Sequence, residues 1–176
     1  MSYIEYYNLK EQPFTNTVDT KFYYNSAQHS EALLRLKYAI NTMKGLAVLV
    51  GGIGTGKTTL ARRMLDELSD REFESALLVI IHSNITPEWL LKKILTQLGV
   101  EDIPEEKTEL LGRLVNCLME IHEKGKKTVV LIDEAQMLQT KDLMEEFRGL
   151  LNIETGGNKL ITFILFGMPE LDDSLS

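Results

Sequence analysis

The stretch Gly51-Gly52-Ile53-Gly54-Thr55-Gly56-Lys57-Thr58 has the spacing G-x-x-x-x-G-K-[ST]. It lies between the apolar run Leu46-Ala47-Val48-Leu49-Val50 and a segment of helical periodicity. This feature narrows the fold most, because the spacing acquires its meaning at a strand-to-helix turn. A polyphosphate is held by several converging backbone N–H groups, and glycines let the main chain curl closely enough to present them. The positive N-terminal end of the following helix adds to the same site. In that frame Gly51 to Thr58, with Thr59 beside them, cradle a nucleoside triphosphate. Lys57 is expected to reach the β- and γ-phosphates and the Thr58 hydroxyl to ligate Mg²⁺. The competing reading is a glycine-rich turn that happens to contain Lys-Thr, and the match of spacing to context speaks against it.

A chain of 176 residues, 44% hydrophobic and 26% charged, is long enough for one folded unit with a sizeable core. The expected division is an irregular leader over residues 1–25 packed on a core over 26–176. A single cysteine, Cys117, excludes an internal disulfide framework and reads as a packing residue on a helix. No apolar run approaches the roughly 18 residues of a membrane span, and the N-terminus lacks a basic start followed by an apolar stretch. A cytoplasmic setting is the expectation. The net charge of −7 disfavours broad electrostatic attachment to DNA or RNA, which rests on lysine and arginine neutralising phosphates.

Strands and helices alternate along the chain. Tyr6 to Tyr24 is broken by Pro13, Asn16 and Asp19. Ser26 then caps a helix with apolar positions Ala32, Leu33, Leu36, Ala39, Ile40 and Met43, running toward Gly45. The strand Leu46–Val50 follows, then a helix with Leu60, Ala61, Met64, Leu65 and Leu68 on one side. Ala76 to Ile81 reads as a buried strand. Thr86-Pro87 starts a helix with the stripe Leu90, Leu91, Ile94, Leu95 and Leu98, closed by Gly99. A charged loop, Glu101 to Lys107, leads to a helix carrying Leu110, Leu111, Leu114, Val115, Leu118 and Met119. A strand over Thr128–Ile132, a helix over Thr140–Leu151 and a strand over Leu160–Phe166 complete the series. The alternation predicts an α/β protein with a central parallel sheet flanked by helices in three layers.

Val129-Val130-Leu131-Ile132-Asp133-Glu134 delivers two carboxylates at a strand's C-terminal end, where ligands of open α/β sheets bind. Asp133 is expected to hold the Mg²⁺ shell together with Thr58, and Glu134 to orient the attacking water. Alone, such a pair is often two solvated acids; with the glycine loop it points to hydrolysis. The chain shows neither Asp-x-x-Gly after this strand nor an Asn-Lys-x-Asp guanine reader, which points to ATP rather than GTP. Asn84 is placed to hydrogen-bond Glu134 if their strands are neighbours, although asparagine is common at strand ends. Gln136 would touch the γ-phosphate or cap a turn, and Arg148 would face a neighbouring subunit or solvent. Tyr23, Tyr24 and His29 are candidates for an adenine pocket or for core packing. His82 and His122 lack companions at metal-ligand spacing.

Taken together, Tyr7-Asn8-Leu9-Lys10-Glu11-Gln12-Pro13-Phe14, the stretch Phe22 to Leu33, the glycine loop, Leu131-Ile132-Asp133-Glu134-Ala135-Gln136 and Phe147 to Glu154 resemble the AAA+ ATPases of the general secretion pathway protein A type. The likeness runs from about Tyr3 to Leu175. It implies a P-loop NTPase core of the AAA+ (ASCE) type and a bacterial cytoplasmic ATPase that energises assembly of a secretion apparatus. ATP, ADP and Mg²⁺ are the implied ligands. It further implies that the intact parent forms a ring or transient oligomer and meets secretion-apparatus proteins, and it allows for an inner-membrane anchor in sequence beyond this chain. Related ATPases serve DNA transposition, so an ATP-switched DNA-binding ATPase is the alternative. The resemblance places Met168, in Gly167-Met168-Pro169-Glu170-Leu171, where the family usually has glutamine. The family's fifth strand, arginine finger and helical lid would fall past Ser176, so this stretch is expected to stop after the fourth strand, lack the lid and turn over ATP weakly or not at all. The family's strand order would leave the phosphate-loop strand at an exposed edge.

Overall fold

The strands expected from the apolar runs form one parallel sheet. The computed structural model describes residues 2–12, 23–138 and 140–171. In chain order these form α1 (Tyr3–Tyr6), α2 (Ala27–Asn41), β1 (Leu46–Val50), α3 (Lys57–Glu67), β2 (Phe73–Val79), α4 (Pro87–Gln97), α5 (Lys107–Glu123), β3 (Lys127–Asp133), a 3₁₀ turn (Ala135–Met137), α6 (Lys141–Leu150), β4 (Glu154–Thr155), β5 (Asn158–Lys159) and β6 (Ile161–Gly167). The sheet order is β1-β6-β3-β2, every pairing parallel, with β4 and β5 forming a separate hairpin. Among the described residues β1 lies at one end of the sheet, as the resemblance implied.

Alternate side chains of each strand go to opposite faces, so the sheet sorts its helices. Val130 and Ile132 of β3 pack with Leu91, Leu95, Leu114 and Leu118 under α4 and α5, and α6 adds Leu143, Phe147 and Leu150 to the same layer. Val129 and Leu131 face the other way, against Leu33, Leu36 and Ile40 of α2 and Leu60, Ala61 and Met64 of α3. The central strands are covered on both faces, which explains why they read as unbroken apolar runs. The Ser26 and Thr86 hydroxyls accept from the backbone N–H groups of His29 and Trp89, as expected of N-caps. Cys117 is buried in the α5 layer, and burial pushes its thiol pKa up, consistent with packing rather than reactivity.

Several boundaries differ from expectation. The second strand is Phe73–Val79 rather than 76–81, because pairing with β3 starts at Phe73 opposite Lys127. Ile80 N still donates to Asp133 O, but the chain then leaves the sheet and Ile81 is 82% exposed. The first long helix ends at Asn41, and Met43, expected on its stripe, turns into the left-handed region at φ 49°. The leader is not wholly irregular: Ser2 and Glu5 form a reciprocal capping box around α1. Pro13, Phe14, Asn16, Asp19 and Phe22 lie outside the described residues, as does the stretch 172–176.

Candidate nucleotide-binding site

Strand register brings the sequence-predicted residues to one edge. Val50 at the end of β1 pairs with Gly167 at the end of β6, and Asp133 at the end of β3 pairs with Val79 at the end of β2. The glycine loop therefore leaves β1 beside the carboxylates that leave β3, at the carboxyl edge of the sheet. Gly56, at φ 85°, is the N-cap of α3, and no side chain caps that helix. An uncapped first turn leaves N–H groups open at the positive end of the helix dipole, the arrangement that receives an anion. A Cβ at position 56 would be 3.2 Å from His29 Cε1 as well as strained by the positive φ, so the position suits glycine.

Polar contacts inside the loop are short. Lys57 Nζ donates to the carbonyl oxygens of Gly51 and Gly52 at 2.8 and 2.9 Å, and Thr55 Oγ1 donates to Gly52 O at 2.9 Å. Thr58 Oγ1 donates to Asp133 Oδ2 at 2.6 Å, and the other oxygen of this buried carboxylate accepts from Glu134 N at 3.0 Å. A hydroxyl and a carboxylate side by side at the helix start are hard oxygen donors, the donor type that suits Mg²⁺ with phosphate and water completing the shell. Thr59, Glu134 and Met168 line the same cleft as Lys57 and Thr58, about 540 Å³ in volume, while Ile53 stands at its lip, 90% exposed.

Glu134 has a left-handed backbone, φ 57°, a conformation that costs a non-glycine residue on the order of 1 kcal/mol or more. Its Oε2 accepts from Gln136 Nε2 at 2.6 Å, and Gln136 Oε1 accepts from Met168 N at 3.1 Å. The expectation for Asn84 is corrected here. β2 and β3 are neighbours, as that expectation required, yet the side chain bonded to Glu134 is Gln136. Asn84 sits five residues past the end of β2, after the chain has left the sheet, and is exposed. Gln136, expected either to touch phosphate or to cap a turn, is buried and bonds two other parts of the rim.

A second cavity, about 330 Å³, opens between α2 and the loop and is lined by Gln28, His29, Ala32, Leu49 and Val50. His29 Nε2 lies 3.0 Å from Thr55 O, and its ring stacks on Tyr23 with centroids 5.7 Å apart and planes 13° from parallel. Since a carbonyl only accepts, Nε2 is the donor in this contact, and in the tautomer that carries its one proton there Nδ1 is an acceptor. That atom is buried and has no hydrogen-bond partner among the described residues. Burial raises the Tyr23 phenol above its ordinary range. Tyr24, 83% exposed, does not line the cavity. Gln28 and Ala32 were not expected there; their spacing of four on α2, with His29 between, was the available signal. His82 packs its ring against Trp89, and Arg148 is exposed on α6. No group of three or more metal-ligating side chains occurs among the described residues, and no helix among them is long and apolar enough to cross a membrane.

Comparison with known proteins bears on the family and the fold. The family model described as an AAA domain matches residues 40–175. General secretion pathway protein A of Aeromonas hydrophila is 34% identical over 174 residues, which is 98% of this chain but 31% of that protein. Among solved structures, Drosophila ORC bound to DNA superposes with a TM-score of 0.67 at 18% identity, covering 93% of this chain and 43% of that one. Cdc6p from Pyrobaculum aerophilum gives 0.64 at 19% identity, covering 90% and 42%. The Aeropyrum pernix ORC2 protein in its ADPNP-ADP complexes gives 0.56 at 22% identity, covering 80% and 40%. At these identities the structural likeness shows the fold.

Proposed function

The chain belongs to the AAA domain family of ATPases and is related to general secretion pathway protein A, and on that premise we propose that it binds Mg-ATP and hydrolyses it to energise assembly of a bacterial secretion apparatus. One observation carries the chemical part: the Thr58–Asp133 pair, Lys57 and Glu134 all meet at one cleft beside an uncapped helix start. In this reading α3's first N–H groups and the Lys57 ammonium hold the phosphates. Lys57 exchanges its two loop carbonyls for phosphate oxygens, so its charge already lies where it is needed. Thr58 and Asp133 hold Mg²⁺, which when bound neutralises charge on the phosphates. Glu134 orients and polarises a water for in-line attack. The cavity beside His29 takes the adenine, with Nδ1 as acceptor for its exocyclic amine.

The process served is inferred from the secretion relative alone, of which this chain spans under a third. Cytoplasmic placement, secretion-apparatus partners and self-association of the intact parent into a ring or transient oligomer belong to the same proposal. The alternative, an ATP-switched DNA-binding ATPase, is disfavoured by the net charge of −7. ATP-dependent, salt-sensitive retention of duplex DNA would reverse that order.

Mg-ATP at about 100 times its dissociation constant should stabilise the fold by roughly 2.7 kcal/mol. The melting temperature of wild type should rise accordingly, and that of Lys57→Ala should not; equal shifts in the two proteins sink the site assignment. Glu134→Gln is expected to keep the shift while losing single-turnover phosphate release. Unchanged release removes Glu134 from the water-orienting role.

A further inference from the structure

The bond between Gln136 and Glu134 belongs to a longer chain of contacts. Gly51 N, at the mouth of the glycine loop, donates to Gly167 O at 3.1 Å. The next N–H, that of Met168, donates to Gln136 Oε1, and Gln136 Nε2 donates to Glu134 Oε2. Gly167 O and Met168 N belong to one peptide group, which is planar and turns as a unit. That plane is held from both sides, by the loop through its carbonyl and by Gln136 through its N–H. Rotation of it strains both bonds together. The residues confirm how closely the parts fit: a Cβ on Gly167 would be 3.2 Å from Gln136 Oε1 and 2.7 Å from Leu171 Cδ2. Gln136 is 4% exposed, so neither half of its amide has water as a ready substitute, and loss of either bond leaves a buried polar group unpaired.

We propose that Gln136 is a positioning residue: it ties the Glu134 carboxylate to the Gly167–Met168 peptide, and through that peptide to the mouth of the phosphate loop. The inference rests on the hydrolytic role proposed for Glu134. Its physical content is that a carboxylate on a left-handed residue at a strand end has several rotamers open to it, and the Gln136 amide selects one at the cleft wall. Gln136 does not itself line the cleft, and Gly51 N holds the Gly167–Met168 peptide independently from the loop side, so removal of Gln136 should slow the chemical step far more than it weakens nucleotide affinity. An amide suits this position because its N–H₂ end donates to the carboxylate while its carbonyl end accepts from the peptide. A carboxylate in its place could serve the peptide but would repel Glu134.

The test uses single-turnover phosphate release from Mg-ATP together with hydrogen exchange of the Met168 amide, in wild type, Gln136→Met and Gln136→Glu. Gln136→Met preserves volume and removes both bonds. It should lower the saturating rate by roughly ten-fold or more while the half-saturating Mg-ATP concentration stays within about two-fold. Met168 exchange should quicken by about five- to ten-fold. Gln136→Glu keeps an acceptor for Met168, so its exchange should stay slow while the saturating rate falls at least as far as in Gln136→Met. This split separates positioning from general packing, which would move both readouts together. An unchanged saturating rate in Gln136→Met overturns the proposal, and so does a rate loss matched by a rise in half-saturation, or Met168 exchange that ignores Gln136→Met. If Gln136→Met does not fold, Gln136→Glu with wild-type rate overturns it equally. Wild type without any phosphate release would instead sink the proposal that this chain hydrolyses ATP, and the purpose of the bridge with it. Turnover in wild type with indifferent Gln136 variants sinks the bridge alone.

Discussion

The two faces of the sheet are built differently. Under α4, α5 and α6 the side chains are almost wholly apolar and the central ones, Leu91, Leu95, Leu114 and Leu118, have no exposure. Under α2 and α3 the buried set is smaller, and Ala32 and Leu49 at its margin line the cavity beside the glycine loop. Every residue proposed to touch nucleotide lies on this second side or at the rim of the sheet: α3 begins at the loop, and α2 carries His29 and Ala32 into the cavity beside it. The difference teaches a division of labour. One face supplies most of the buried apolar contact, and the other leaves a cavity lined by His29, whose Nδ1 has no hydrogen-bond partner among the described residues.

If the division holds, substitutions on the two faces should separate fold stability from ligand response. The largest effect is expected at Leu95, where Leu95→Ala should destabilise by about 2–5 kcal/mol in urea titration yet leave the Mg-ATP-induced melting shift of the folded protein as in wild type. A lost shift would show that the two faces are coupled. Next, Gly56→Ala forces a side chain into the left-handed region and against His29; about 1–2 kcal/mol of stability should go, with the Mg-ATP shift largely abolished. Retention of the full shift would break the link between loop conformation and binding. Thr86→Ala removes the cap of α4, on the dense face, and should cost about 1 kcal/mol without touching the ligand shift.

The smallest effect concerns the ion pairs that clip the open face together. Glu67 of α3 meets Lys37 of α2 at 2.5 Å and Arg63 of its own helix at 2.7 Å. The Lys37 contact, more than any other, holds the Glu67 carboxyl below its ordinary range. A carboxyl lowered in the folded state stabilises above its unfolded pKa, and the contribution is lost as pH falls through the folded value. Wild type should therefore lose up to about 1 kcal/mol more than Glu67→Gln between about pH 5 and about pH 3 in urea titration. Equal losses would assign the clip no role.

The helix stripe Leu90, Leu91, Ile94 and Leu95 and the strand ending at Asp133 were legible because burial on these elements follows a clean period, and their ends carry capping or charged residues. β2 was less so: Glu74 and Ser75 are polar but paired, while Ile81 is apolar but outside the sheet, so hydrophobicity misplaced both ends. The hairpin of β4 and β5 was missed because Glu154-Thr155 and Asn158-Lys159 bury little, although Gly156-Gly157 between them was a usable turn signal. At the site, the loop and the Asp133-Glu134 pair were readable as local spacing. The partner of Glu134 was not, because the choice between Asn84 and Gln136 depends on where the chain leaves β2 and on β6 lying beside β3. Those are facts of three-dimensional adjacency.

The folded-back Lys57 gives the loop a resident competitor. On the proposed reading, an entering anion must offer the ammonium more than the two carbonyl oxygens it now holds, so weakly charged anions are expected to bind poorly. Affinity should climb steeply from orthophosphate to pyrophosphate to tripolyphosphate, a ranking that a competition titration would read directly. Such a threshold would make the loop selective for chain length in phosphate, and equal affinities along the series would show that Lys57 sets none.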